Sequence, residues 1–237
     1  MADEHAGPPQ GDPPPDGQEH GALTPDPRAY LRVVLHLLRW VALGSVVGVL
    51  AGLSSAVFLW TLDRATLAFD EHPALLFGLP LAGLVIGAVY HYGGGRAVEG
   101  NNLIIDEIHE PTAWVPRRMA PMVFIGTIAT HLFGGSAGRE GTAIQMSGSL
   151  TDGASRLLRL GPDDRRTMLV AAMAGGFGAV FGVPLAGAVF GLEVQAVGRL
   201  RYEALVPSLV ASVVGDLVVH RTGVEHMITP DLGHIEL

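Results

Sequence analysis

Residues 119–145 read MAPMVFIGTIATHLFGGSAGREGTAIQ: an apolar run that ends in glycines, a single Arg139-Glu140 pair, and then a second apolar-bearing stretch. A membrane-spanning helix needs roughly 20 mostly apolar residues, and the first part of this stretch approaches that length before glycine breaks it. Broken backbone at membrane depth is tolerated only where it is buried in protein or lines a polar cavity. The reading is therefore of discontinuous helices converging near the middle of a bilayer, an arrangement of transporters more than of scaffolds. Glu140 is then an acid within or near the hydrocarbon region, where an unpaired carboxylate costs several kcal/mol and is a functional candidate by default. The competing reading is an ion pair with Arg139, or exposure at a membrane face.

The glycines around Glu140 have a physical role of their own. Gly134, Gly135, Gly138 and Gly141 permit close backbone approach and leave amides free just before a helix begins, and helix N-termini attract anions. A carboxylate at such an end occupies the anion site itself and leaves it on protonation, which would couple one proton to anion movement. Residues 134–138 (GGSAG) also match the G-x-S-x-G of a hydrolase nucleophile elbow, with His131 nearby. An elbow needs a strand before it and a triad beyond it, whereas Ser136 follows an apolar helix with no partner acid evident. The chain is not expected to be an enzyme.

Composition agrees with a bilayer as solvent. Of 237 residues 49% are hydrophobic and 16% charged, and the mean hydropathy is +0.37, too apolar for an ordinary soluble domain. The 32 glycines suit close helix packing in lipid. There is no cysteine, which removes disulfides, thiol catalysis and cysteine metal sites, and no cofactor or metal is implied. The net charge of -8 is spread over the first stretch and the loops. All 15 basic residues are arginines, mostly at segment ends, where they report orientation rather than nucleic-acid binding. A nucleic-acid partner is excluded.

Working outward, residues 1–27 are proline-rich, acidic and nearly free of large apolar side chains, so they read as a disordered cytoplasmic tail and not as a secretory signal. Residues 30–40 (YLRVVLHLLRW) suit an interfacial helix leading into a first span over 41–62. Arg28, Arg32 and Arg39 precede that span and Asp63, Asp70 and Glu71 follow it, which places the N-terminus in the cytoplasm of a multi-pass protein, expected in the cell's inner (plasma) membrane. A second span over 73–92 returns. GNNLIIDEIHEP (100–111) is too short and polar to cross and reads as a broken or re-entrant helix. The remaining path runs through 119–135, then 142–160 with Arg156, Arg159, Arg165 and Arg166 at the following turn, then 168–182, 184–194 and a last crossing over 204–220 behind Arg199 and Arg201. The fold class is all-α, with 28–237 one membrane domain.

GNNLI (100–104) offers a second helix start, where Asn101 and Asn102 supply amide donors without charge, ordinary N-capping being the alternative. FGVPL (181–185) repeats the glycine-proline break, or is a plain loop. Together these motifs resemble the CLC family of chloride channels and transporters: GGSAGREGTAIQ is similar to its GREGP-type signature, GVPLAGAVFGLEV (182–194) to its NAPLAG-containing stretch, and GNNLIIDEIHEP stands where most members have GSGIPE. The resemblance covers about residues 29–230. Asn101, Ile104 and Thr142 replace the residues common in the family, as in its bacterial fluoride/proton antiporter branch.

The resemblance implies roles residue by residue. Glu140 takes the place of the external gating glutamate, and Asn101 that of the anion-coordinating serine, with Asn102, Gly138, Gly141 and Thr142 beside the anion. The internal glutamate of the chloride/proton exchangers aligns with Val194, so the neighbouring Glu193 is a proton waypoint only as a secondary candidate against a surface acid at a helix end. Family members close their site between two inverted repeats, and this sequence stops after what resembles the last helix of the first. A truncated frame or split gene is thus expected, completed by a companion second-half polypeptide, while the family's habit implies a homodimer. The resulting expectation is fluoride/proton antiport, with fluoride or chloride, protons and lipid as partners. The alternatives are chloride/proton exchange, a channel, and a fragment without transport of its own.

Overall fold

The computed structural model describes residues 27–194 and 202–224. The proline-rich stretch up to residue 26, Arg199, Arg201 and the C-terminal 225–237 lie outside the described residues. The described chain is helical: α1 (Pro27–Glu71), a 3₁₀ turn Pro73–Gly78, α2 (Leu79–Gly93), a 3₁₀ turn Gly95–Glu99, α3 (Asn101–His109), α4 (Met119–Leu132), α5 (Arg139–Leu157), α6 (Pro162–Phe181), α7 (Pro184–Glu193), a 3₁₀ turn Tyr202–Ala204 and α8 (Leu205–Arg221). Three segments are long and apolar enough to cross a membrane, Tyr30–Glu71, Pro73–Gly93 and Tyr202–Arg221.

The interfacial helix expected to end near Trp40 is not a separate element. α1 is one helix of 45 residues, about 67 Å at 1.5 Å per residue. Nothing between Arg28 and Val41 is a glycine or proline, so no residue interrupts the hydrogen-bond ladder. His36 accepts from the Trp40 indole across one turn at 3.0 Å, and Trp40 is buried.

α6 is the hub. From Thr167 to Gly176 every side chain is buried, which explains why its sequence is apolar and small on all faces and not striped. α1 and α8 lie parallel to each other, with Gly44, Gly48 and Gly52 facing Pro207, Ala211 and Gly215 in step. A Cβ at Gly48 would stand 2.7 Å from the Ala211 carbonyl oxygen and one at Gly52 2.6 Å from that of Gly215, so the two backbones touch. Such small-residue seams are how helices associate in lipid, where apolar side chains have no water to escape. α6 runs the same way, with Gly175 against Ala51 and Ala211. α5 and α7 run opposite: Ser147 on α5 donates to the Ala172 carbonyl at 2.8 Å, and Gly187 and Gly191 on α7 face Gly178 and Ala174.

The glycine-proline break read from the sequence lies between α6 and α7. Gly182 takes the left-handed conformation (φ 69°) that closes a helix, where a side chain would be strained. Its amide and that of Val183 both donate to the Gly178 carbonyl, at 2.9 and 3.2 Å. Pro184, which has no N–H to leave unpaired, then opens α7.

Candidate functional site

The GGSAG stretch turns the chain back into the bundle. Gly134 has φ 74°, and the Gly135 amide donates to Thr130 of α4 at 2.8 Å, so residues after Leu132 retrace the last turn of α4. α5 consequently starts beside the last turn of α4, and about one turn further in the Thr127 and Thr142 hydroxyls share a hydrogen bond of 2.8 Å. Thr127 is five residues before the end of α4, and Thr142 is three residues inside the antiparallel α5, which sets the start of α5 about 3 Å back from that end. The register of α5 on α6, Ala143 against Gly176, brings the Gly182–Pro184 break to a similar depth.

α3 meets α5 there. Gly100, at φ 63° and ψ -134°, turns the chain into α3, and neither Gly100 nor Gly138 supplies a side-chain cap. The first amides of both helices are therefore without a side-chain acceptor. A Cβ at Gly141 would lie 3.3 Å from the Asn101 side-chain nitrogen, and one at Gly100 3.4 Å from that of Gln145. Two carboxamides thus line the seam between the two helix starts. The Asn101 side-chain oxygen is buried and has no hydrogen-bond partner, a costly state for an amide. Since its oxygen and nitrogen are interchangeable by a flip, this group is the unsatisfied polar element of the site.

The structure separates the residues singled out by sequence. Asn101, Gly141 and Gln145 are together. Glu140 sits in the first turn of α5, exposed, and makes no ion pair with Arg139 among the described residues. Gly138 is exposed, with open space around it. Asn102 is exposed, one residue further round α3. The buried Thr142 hydroxyl donates to the Gly138 carbonyl at 3.0 Å and bonds Thr127, and its amide belongs to the first regular turn, so Thr142 organises the helix start. Glu193 is the exposed last residue of α7, about 13 Å along that helix from the break. Gln145 was missed, although it lies four residues after Gly141, on the same helical face.

A second buried polar group also escaped the sequence reading. Glu107 on α3 and Asp152 on α5 are 0% and 1% exposed, and Arg165 at the start of α6 bridges them. Its Nε donates to Asp152 at 2.5 Å, Nη1 to Glu107 at 3.1 Å, and Nη2 to Asp152 at 3.0 Å and to the Ala113 carbonyl at 2.8 Å. Arg96 donates to Glu107 at 2.9 Å, the Thr112 and Ala113 amides cap it at 3.1 and 3.2 Å, and the Val115 amide donates to Asp152 at 2.6 Å. Burial alone would push the Glu107 carboxyl up, but Arg96, the Ala113 amide, Arg165 and Thr112 outweigh it and hold it below the usual carboxylate range. This knot ties the far ends of α3 and α5 together, so that their starts stay side by side. Its one signal in the sequence is an acid on an apolar stripe, Glu107 among Leu103, Ile104 and Ile108.

Uncapped helix starts meeting within a bundle of apolar, glycine-packed helices are the arrangement of a membrane protein built from discontinuous helices. The sequence profile of the voltage gated chloride channel family matches residues 81–232, and the chain belongs to that family. It is 52% identical over 196 residues to a "Chloride/fluoride channel protein" of Pseudomonas syringae pv. tomato, covering 83% of this chain and 43% of that protein. It is 29% identical over 206 residues to an uncharacterized protein of Methanocaldococcus jannaschii, covering 84% and 49%. A solved CLC-type fluoride/proton antiporter superposes with a TM-score of 0.75 at 31% identity, over 86% of this chain and 52% of that one. The chain thus spans about half the length of the relatives it matches.

Proposed function

We propose that this chain supplies one half of an anion pathway exchanging fluoride for protons across the cell's inner membrane, with its N-terminus cytoplasmic. The observation that carries the reading is the Asn101 carboxamide, whose oxygen is buried and without a hydrogen-bond partner, in the seam between two uncapped helix starts. Fluoride is small and strongly hydrated, so it enters only where close donors replace its water. Backbone amides of Gly138 to Gly141 and the side-chain amides of Asn101 and Gln145 are donors of that kind. Glu140, in the first turn of α5, competes for the same amides as a carboxylate and yields them when protonated, which exchanges a proton for an anion. The remainder of the pathway comes from a companion half or a partner subunit.

The test is fluoride efflux with simultaneous proton uptake in liposomes, for this chain alone and together with a polypeptide supplying the rest of the fold. Coupled flux in either preparation supports the reading; fluoride flux with no proton movement in the completed protein would leave a channel, the activity in the printed name of the Pseudomonas relative. In a coupled preparation, Glu140→Gln is expected to reduce proton uptake to the leak of empty vesicles, and undiminished coupling would remove Glu140 from its role. Asn101→Ser shortens the reach of the donor, and is expected to lower the fluoride over chloride preference about ten-fold, the worth of one hydrogen bond to an ion. An unchanged ion preference in competition assays would sink that assignment.

A further inference from the structure

Two cavities adjoin on the face made by α1, α4 and α5. The upper one, about 370 Å³, is a groove whose walls include Leu53 and Val57 of α1, Phe124 of α4 and Met146 and Leu150 of α5. The lower one, about 250 Å³, is lined by Trp114, Arg117, Asp152, Gly153 and Arg156. They are continuous in register: Met146, Leu150, Gly153 and Arg156 follow at helical spacing down one face of α5, and Ala120 and Pro121 of the groove lead back to Arg117.

The lower pocket is cationic. The Arg156 guanidinium lies 5.7 Å from the centre of the Trp114 ring, whose other cation is Arg165 at 4.7 Å. Gly153 has no side chain, and Arg117 lies against it, its Nε 3.9 Å from where a Cβ would be. Arg117 and Arg156 are exposed, and the side chain of neither makes a hydrogen bond or ion pair among the described residues. Asp152 has its charge satisfied by Arg165 and the Val115 amide, so it does not cancel theirs. This is also the end of the bundle that gathers Arg39, Arg159 and Arg166, with Arg39 paired to Asp164.

We infer that this face holds an anionic phospholipid, its phosphate on Arg117 and Arg156 beside Trp114 and one acyl chain in the groove between α1, α4 and α5. Charge complementarity selects the occupant: two unpaired arginines at the foot of an apolar, laterally open groove match a molecule with a phosphate at one end and a hydrocarbon at the other. Basic pockets between transmembrane helices take such headgroups on the leaflet that is rich in them. The site lies on the opposite end of α5 from Glu140 and does not depend on transport.

The experiment is native mass spectrometry of the purified chain in detergent, titrated with phosphatidylglycerol, with phosphatidylcholine of the same acyl chains, or with soluble glycerophosphate. The expected result is an about thirty-fold preference for phosphatidylglycerol over phosphatidylcholine, the selectivity that two arginines near an anionic headgroup supply. The double variant Arg117→Gln with Arg156→Gln should abolish the preference and leave phosphatidylcholine retention unchanged. Leu150→Trp, which fills the groove from a partly exposed position, should weaken both lipids. Equal retention of the two lipids by the unaltered chain, or a preference that survives the double variant, overturns the proposal. So does glycerophosphate binding as tightly as phosphatidylglycerol regardless of Leu150→Trp, which would leave a bare phosphate pocket. Retention of neither lipid, with a chain dimer that Leu150→Trp dissociates, would assign the groove to a second copy instead.

Discussion

Arg165→Leu is expected to abolish the folded chain, read as loss of the monodisperse peak in size-exclusion chromatography of detergent extracts. The substitution removes four hydrogen bonds to Glu107, Asp152 and the Ala113 carbonyl, and leaves two carboxylates buried without their shared cation. Removing one partner of a buried ion pair costs about 3–5 kcal/mol, against a total stability of roughly 5–15 kcal/mol for a typical domain. Arg165→Lys keeps the charge but cannot present Nε, Nη1 and Nη2 as one planar fork, so it should recover only part of the loss. Combining Arg165→Leu with Glu107→Gln and Asp152→Asn should recover more of the folded fraction than Arg165→Lys does, because no buried anion then remains. A stable, monodisperse Arg165→Leu protein would show that the knot is solvated and does not hold α3 to α5.

Gly52→Leu should be nearly as damaging, and Gly87→Leu harmless. Both glycines are in the middle of apolar helices, and nothing local distinguishes them. A Cβ at position 52 would lie 2.6 Å from the Gly215 carbonyl oxygen and 2.7 Å from the Val218 Cβ, close to backbone that cannot swing aside, so α1 and α8 must separate. Overpacking costs typically about 1–3 kcal/mol, and a seam of backbone against backbone belongs at or above the top of that range. At position 87 nothing lies within 4 Å, and an exposed glycine in a helix exchanged for leucine gains up to about 1 kcal/mol. Thermal unfolding of the two variants followed by size exclusion distinguishes them, and equal melting temperatures would refute the α1–α8 seam.

These two expectations mark the boundary between what the sequence disclosed and what it withheld. Residues 134–141 announced a broken helix carrying an acid, and 182–184 announced a second break, because glycine and proline act on their own backbone and need no neighbour to do so. The continuity of α1 through Trp40 was not announced, since an amphipathic interfacial stretch and a spanning stretch share one helical geometry and differ only in surroundings. Gln145 lay within the quoted motif, yet its role depends on facing Gly100 of another helix.

Membrane residence, the order of the helices, the positions of the glycine and proline breaks and the family were set by the sequence alone, because apolar length, glycine and proline act locally, and the motifs are contiguous. Which of two adjacent asparagines faces α5, which glycines are seams, and that Glu107, Asp152 and Arg165 share one buried site were decided only by the tertiary structure. Glu107 and Arg165 are 58 residues apart, and the pairing of charges at such a separation is fixed by how the helices pack, which no local pattern encodes.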